Sequence, residues 1–343
     1  NEMVTLADYR LRYASYRLDP DLQALHAAFP MIAQWDDHEL ANDAYRDGAE
    51  NHQPDKEGEW AVRKAAAEKV YREWMPVSDA MYDSFQIGTL ATIFRPETRI
   101  TGRDKQLDVR EAIAGRGDVA KALADFRDGA WSAQDRTLMG TAQEKWLYDG
   151  FGKSKKAGTA WQILAQQVIM GYGRFPTNAA DWVPANAPEI VRKSLAGAVA
   201  ASQAGLPYNM DSWDGYPAAR NRLYDAALGA DADLVVLSGD SHNAWGYNLG
   251  PARGQSGHGL LRHQPARLCL AGGDAATGRR FMALHEGHPH PHDRTGRYAP
   301  HDGAARRETT GGCLIGTTPP PRTMSRRGGG SLDWRYWPRV DFE

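Results

Sequence analysis

LVVLSGDSH, residues 234–242, is the stretch that decides the fold. Its apolar start, Leu234–Leu237, is too short for a helix, rich in branched side chains, and bounded by Asp231, Ala232 and Asp233 before it and Gly239 after. It reads as a buried strand of a layered α/β sheet. Gly239 lets the backbone bend sharply. Asp240 and His242 then fall at the carboxyl end of the strand, where open α/β sheets place ligands. A carboxylate and an imidazole converging there would suit a metal such as Zn, Mn or Fe. The same residues also read as a capped βα turn, with Asp240 or Ser241 as the N-cap of a following helix. The tripeptide alone leaves both readings open.

Working outward, residues 31–35 (MIAQW) form a second short apolar run, expected as another buried strand. It runs directly into Asp36, Asp37, His38 and Glu39, followed by Asn42 and Asp43. Such a density of ligating and proton-exchanging groups at a strand tip marks a functional site. Residues 6–28 read as two helices broken near Asp19 and Pro20, with Asp21 able to begin the second and His26 as a packed surface histidine. Residues 45–55, polar and carrying His52, read as a flexible loop over the site. Residues 58–74 give an amphipathic helix, 82–94 a hairpin-like strand pair around Gly88, 109–126 and 142–150 helical segments, and 159–170 a further buried strand. A Trp- and Tyr-rich turn at 212–219 and a helix at 218–228 lead back to the opening strand. The alternation of strand, polar tip and helix from Leu6 to Leu249 is that of an α/β domain.

The chain has 343 residues, 42% of them hydrophobic, enough for one large core or two smaller ones. A net charge of −2 gives no basic field for nucleic acid or an anionic membrane. No apolar stretch approaches the roughly 18–20 residues that cross a bilayer. Cys269 and Cys313 share no metal-type spacing. A Ser-His-Asp triad is disfavoured because Ser238 and Ser241 lack a G-x-S-x-G elbow, and neither a P-loop nor a G-x-G-x-x-G is present. Asp36, Asp37, His38 and Asn42 at one tip and Asp240 and His242 at the other make a nitrogen and oxygen ligand field without thiolate. Such a field suits a pair of metal ions in hydrolytic work.

Six segments then carry a resemblance. WDDHELAND (35–43), the preceding TLADYRLRYASYRLDPDLQALHAAFPMIAQ (5–34), FRPETRITGRDKQL (94–107), WQILAQQVIM (161–170), WDGYPAARNRL (213–223) and VVLSGDSHNAW (235–245) together resemble the PhoD-like alkaline phosphatase/phosphodiesterase family of calcineurin-like metallophosphoesterases. The resemblance implies an αββα metallophosphoesterase sandwich and hydrolysis of small phosphate mono- or diesters by a metal-activated hydroxide. It implies two metal ions, Fe and Ca or alternatively Zn or Mn, and a periplasmic or secreted location. By the same resemblance Asn42, Asp240 and His242 fall on metal ligands. Asp37 and His38 fall on the phosphate pocket, with His38 as proton donor to the leaving alkoxide. Trp213, Asp214 and Tyr216 are candidates for substrate binding, and a turn packed by aromatics is the alternative. Gln166 and Gln167 read as core strand residues that could instead be ligands. Arg95 and Arg99 read as surface pairs that could meet a phosphate.

The sequence departs from that family at both ends. Upstream strands with a GDYIYE-like motif, which supply further ligands in the family, do not precede Asn1. The expected sandwich is therefore incomplete, and an inactive or merely metal- or phosphate-binding remnant is the alternative to an enzyme. From Pro251 onward the chain has fourteen Arg and no Lys, seven of its eleven His and nine of its nineteen Pro, with little periodicity. This composition predicts a domain over 1–250 and an atypical, disordered tail over 251–343, as a GC-rich gene read out of frame past Gly250 would encode.

Overall fold

The computed structural model describes residues 2–184, 186–207, 209–242, 245–250 and the backbone of 281–283. The expected tail, with the histidines His285, His288, His290 and His292 that could bind metal, otherwise lies outside the described residues. Two helices open the chain, α1 (Leu6–Arg17) and α2 (Pro20–Ala28). Thr5 and Asp8 form a reciprocal capping box on α1. The break falls where the sequence places it, but Asp19 is the cap of α2: its carboxylate accepts from the Asp21 and Leu22 amides, and Pro20 takes the first helical position. A short α3 (Pro54–Glu57) leads into α4 (Trp60–Trp74), which packs on α1 through Tyr9, Ala67 and Val70.

The hairpin expected at 82–94 is β1 (Asp83–Ile87) and β2 (Ala91–Arg95), antiparallel. The helical segment at 109–126 divides into α5 (Val109–Ile113) and α6 (Val119–Phe126), each capped by an aspartate, Asp108 and Asp118. After α7 (Thr141–Lys156), β3 (Trp161–Ala165) returns parallel to β2. The chain then crosses through α8 (Glu189–Gln203) and α9 (Pro217–Gly229) to β4 (Leu234–Leu237), parallel to β3. With β5 (Tyr247–Leu249) and β6 (Phe281–Ala283) the sheet has six strands in the order β1-β2-β3-β4-β6-β5.

One face of this sheet carries Phe94, Leu164, Leu234 and Val236 into a core with Leu147 and Phe151 of α7 and Leu223 and Tyr224 of α9. The opposite face, with Ile163, Val235 and Leu237, is only partly buried, and Leu237 is 39% exposed. The expected buried strand is thus buried on one face, through alternate residues. Among the described residues one sheet is present, so the mixed α/β class stands without the second sheet of the expected sandwich. Residues 31–35 are not a strand, because no neighbouring chain pairs along them among the described residues. Met31 and Ile32 are about half exposed, and only Trp35 is anchored. Its indole donates to Glu97 at 3.0 Å, and its carbonyl accepts the Gln167 amide at 2.9 Å.

The segment after β2 presses against the loop at Met139 and Gly140 through Gly102. A Cβ there would lie 2.4 Å from the Met139 carbonyl oxygen and 2.6 Å from Gly140 Cα. Both are backbone atoms and cannot rotate away, so Gly102→Ala is expected to destabilise by about 2–3 kcal/mol, read as a lowered midpoint in urea unfolding with the slope unchanged.

Candidate metal and phosphate site

The carboxyl ends of β2, β3 and β4 point toward one place, and the loops leaving them carry its side chains. Residues 36–43 fold into a tight turn. Asp37 uses its carbonyl to accept the Leu40 and Ala41 amides at 2.8 Å each, and its carboxylate to accept those of His38 and Asp43 at 2.9 Å. Aspartate does this well because its short side chain reaches its own backbone neighbours. The loop after β2 is held by Glu97, buried, whose carboxylate accepts the amides of Arg99, Ile100 and Thr101 as well as the Trp35 indole. Gln167, just past β3, joins three segments: its carbonyl accepts Gly239 N at 2.9 Å, its amide donates to Trp35, and its side-chain oxygen accepts from Thr98 at 2.7 Å. Gln166 instead holds the Val168 backbone and the Trp213 indole, as a core residue.

At the centre lies Arg99, whose side chain is fully buried, against the expectation of a surface pair. Its Nε donates to Asp36 at 2.6 Å and its Nη1 to Asp211 at 2.7 Å. Its Nη2 lies 3.2 Å from Asp240 and 3.9 Å from Asp37, with a hydrogen bond to neither. Arg103, equally buried, also pairs with Asp211 at 2.7 Å and donates to Tyr216 Oη at 3.2 Å. Gln106 completes this anchor, donating to Asp211 at 2.7 Å. One oxygen each from Asp36, Asp37 and Asp240 lies within 4.8 Å of the other two, so the three could hold one cation. All are hard oxygen donors, the kind that Ca²⁺, Mg²⁺ and Mn²⁺ prefer. Asp43, Asp240 and His242 all have positive φ (49°, 69° and 57°), a cluster of left-handed non-glycine residues of the sort that collects at functional sites.

Crowding raises several of these carboxyls. Burial, reinforced by Asp211 and Asp37 and opposed by Arg99 and Arg103, pushes Asp43 up to about 7. Burial likewise pushes Asp240 up to about 6, with Arg99 opposing and Asp211, Asp36 and Asp37 adding to it. At Asp211 burial acts in the same direction, but Arg103 and Arg99 outweigh it and hold the carboxyl low. A folded-state value near 7 for Asp43, against about 3.9 in an unfolded chain, means that the folded state binds the extra proton between those limits. Metal-free protein is therefore expected to lose stability as pH rises from about 4 to about 7. Asp43→Asn should flatten that slope and gain on the order of 1–2 kcal/mol at pH 8, measured by urea unfolding across pH.

Of the residues singled out in the sequence, Asp37 and Asp240 meet in this cluster. His38 stands at its edge, its side chain 69% exposed and its Nε2 3.9 Å from Asp37. Asn42 is half-buried, and its amide nitrogen is taken up by Glu50 at 3.1 Å. His242 is exposed and outside the converging group. Trp213, Asp214 and Tyr216 lie inside the core instead of on a cavity wall, at 2% exposure or less. Asp214 pairs with Arg220, and Tyr216 donates to the Asp104 carbonyl at 2.6 Å. Arg95 is buried too, donating to the Ala80 carbonyl at 3.0 Å. The stretch 45–55 is held at particular points, its charged residues remaining exposed: Arg46 N bonds the Arg103 carbonyl, and the His52 side chain is buried against Trp60 and Glu57.

The family model described as PhoD-like phosphatase matches residues 1–262, three-quarters of the chain and every residue of this site. The chain belongs to the PhoD-like phosphatase family. Alkaline phosphatase D of Bacillus subtilis (strain 168) is 33% identical over 258 residues, covering 72% of this chain and 37% of the relative. A solved structure described as "Structure of PhoD" matches with a TM-score of 0.52 and 32% identity, over 72% of this chain and 41% of that one. The chain thus spans about two-fifths of the length of these PhoD relatives. Among the described residues no helix is long and apolar enough to cross a membrane.

Glu97, Arg103, Gln106 and Asp211 were missed in the sequence. All lie in segments quoted or adjoined by the family resemblance, but only the fold shows that Arg103 and Asp211, 108 positions apart, pair.

Proposed function

We propose that this chain carries a metal-dependent phosphoester-hydrolysing centre built on Asp36, Asp37 and Asp240, acting on small phosphate mono- or diesters. The observation that carries the reading is the convergence of Asp36 and Asp37 of the 36–43 turn with Asp240 of the loop after β4. The family membership supports it independently. A cation held there would neutralise phosphoryl oxygens and acidify a water at neutral pH. Asn42 and His242 are proposed to complete the ligand set by turning in from their positions at its rim. Fe and Ca remain the proposed ions, and the all-carboxylate inner group suits Ca or Mn better than Zn. His38, exposed and 3.9 Å from Asp37, is proposed to pass a proton to a leaving alkoxide. Tyr216 and Trp213 are proposed to act through packing, Tyr216 by supporting Arg103. The αββα sandwich and a periplasmic or secreted location belong to the same proposal.

The test is metal analysis with turnover. Full-length protein equilibrated with Mn²⁺ or Ca²⁺ is expected to hold at least one ion per chain, and to hydrolyse p-nitrophenyl phosphate or its bis-ester in an EDTA-sensitive way. Bound metal without turnover would favour a binding remnant, and neither would end the enzymatic reading.

A further inference from the structure

We propose that Arg99 is a resident counter-cation of this site, sharing Asp36 and Asp240 with any incoming divalent ion and so lowering the site's metal affinity. The proposal rests on the reading of Asp36, Asp37 and Asp240 as the metal-holding group.

The guanidinium is fully buried and already touches two of the three converging carboxylates, Asp36 through Nε at 2.6 Å and Asp240 through Nη2 at 3.2 Å. It cannot relieve its charge by losing a proton, as a lysine could. Nor is it free to withdraw, because Nη1 is bonded to Asp211 at 2.7 Å, and Asp211 is itself fixed by Arg103 and Gln106. Nη2 is the arm without a hydrogen bond, and it faces Asp240 and Asp37. Ionised, Asp36, Asp37, Asp43, Asp211 and Asp240 carry more negative charge than Arg99 and Arg103 offset, which leaves an excess for a divalent ion to meet. A carboxylate can serve both cations, having several lone-pair sites, but each additional positive charge a few ångströms away weakens the hold on the other. The arrangement therefore keeps the carboxylates apart and ordered in metal-free protein, while reducing the affinity with which metal is taken up.

The experiment is calorimetric titration of Mn²⁺ into the full chain and its variants, without substrate. Arg99→Gln, which removes the charge, is expected to bind Mn²⁺ at least tenfold more tightly than wild type. Arg99→Lys, which keeps the charge, should stay within about threefold. Equal or weaker binding by Arg99→Gln overturns the proposal. Should that variant not fold, Asp211→Asn decides: Arg99 then leans more fully on Asp36 and Asp240, Mn²⁺ binding should weaken at least threefold, and unchanged affinity overturns the idea. If wild type and variants alike bind no Mn²⁺, the metal-site reading itself fails, an outcome distinct from equal affinities.

Discussion

Asp211→Ala is expected to cost about 3–5 kcal/mol of unfolding free energy, a large share of the roughly 5–15 kcal/mol that holds a typical domain together. Asp211 is the common partner of two fully buried guanidinium groups, at 2.7 Å from each, and also accepts from Gln106. Without it Arg99 still has Asp36 and Asp240. Arg103 keeps only neutral acceptors, the Thr98 and Asp211 carbonyls and the Tyr216 hydroxyl. An unpaired buried charge, more than the lost bonds, makes the substitution severe. Asp211→Asn, which retains oxygen acceptors and the shape, should be milder by about half in urea unfolding.

Asp240→Asn should stabilise the metal-free protein and weaken its response to metal. In metal-free protein the ionised Asp240 is disfavoured, its carboxyl raised to about 6 chiefly by burial. The folded state therefore takes up a proton between about pH 4 and 6 that the unfolded chain does not, and stability falls as pH rises through that window. A neutral asparagine avoids the loss, so metal-free Asp240→Asn is expected to be more stable than wild type at pH 8, by on the order of 1–2 kcal/mol. Metal narrows or closes that gap. At a Mn²⁺ concentration about a hundred times its dissociation constant, wild type should gain about 2.7 kcal/mol. The variant, lacking one of three charged ligands, should bind at least tenfold more weakly and gain correspondingly less. Urea unfolding at pH 8 with and without Mn²⁺ reads both effects. A variant that responds to Mn²⁺ as wild type does would move the ligand elsewhere.

The central strands of the fold were legible because their signals are local. LVVL, WQILA and the hairpin around Gly88 each lie where the residue pattern places them. The same locality explains the failure at 31–35. Apolar content alone reads as a strand, but a strand also needs a neighbour to pair with, and none of the described residues supplies one. The candidate site was visible in the density of acidic residues at 36–43 and in the Gly-Asp pair after β4. The role of Arg99 was hidden because arginine in a polar segment is normally exposed. Its burial follows from four aspartates that meet only in three dimensions. Trp213, Asp214 and Tyr216 were legible as a cluster but not as core, since aromatics that line a pocket and aromatics that fill a core look alike in sequence.

The most direct test of the carboxylate centre is the number of ions bound per chain by wild type and by Asp36→Asn/Asp37→Asn/Asp240→Asn, dialysed against Mn²⁺ and measured by elemental analysis. Circular dichroism would confirm that both are folded. At least one ion in wild type and none in the triple variant is the expected result, whereas equal occupancy in the two would contradict a metal site at Asp36, Asp37 and Asp240.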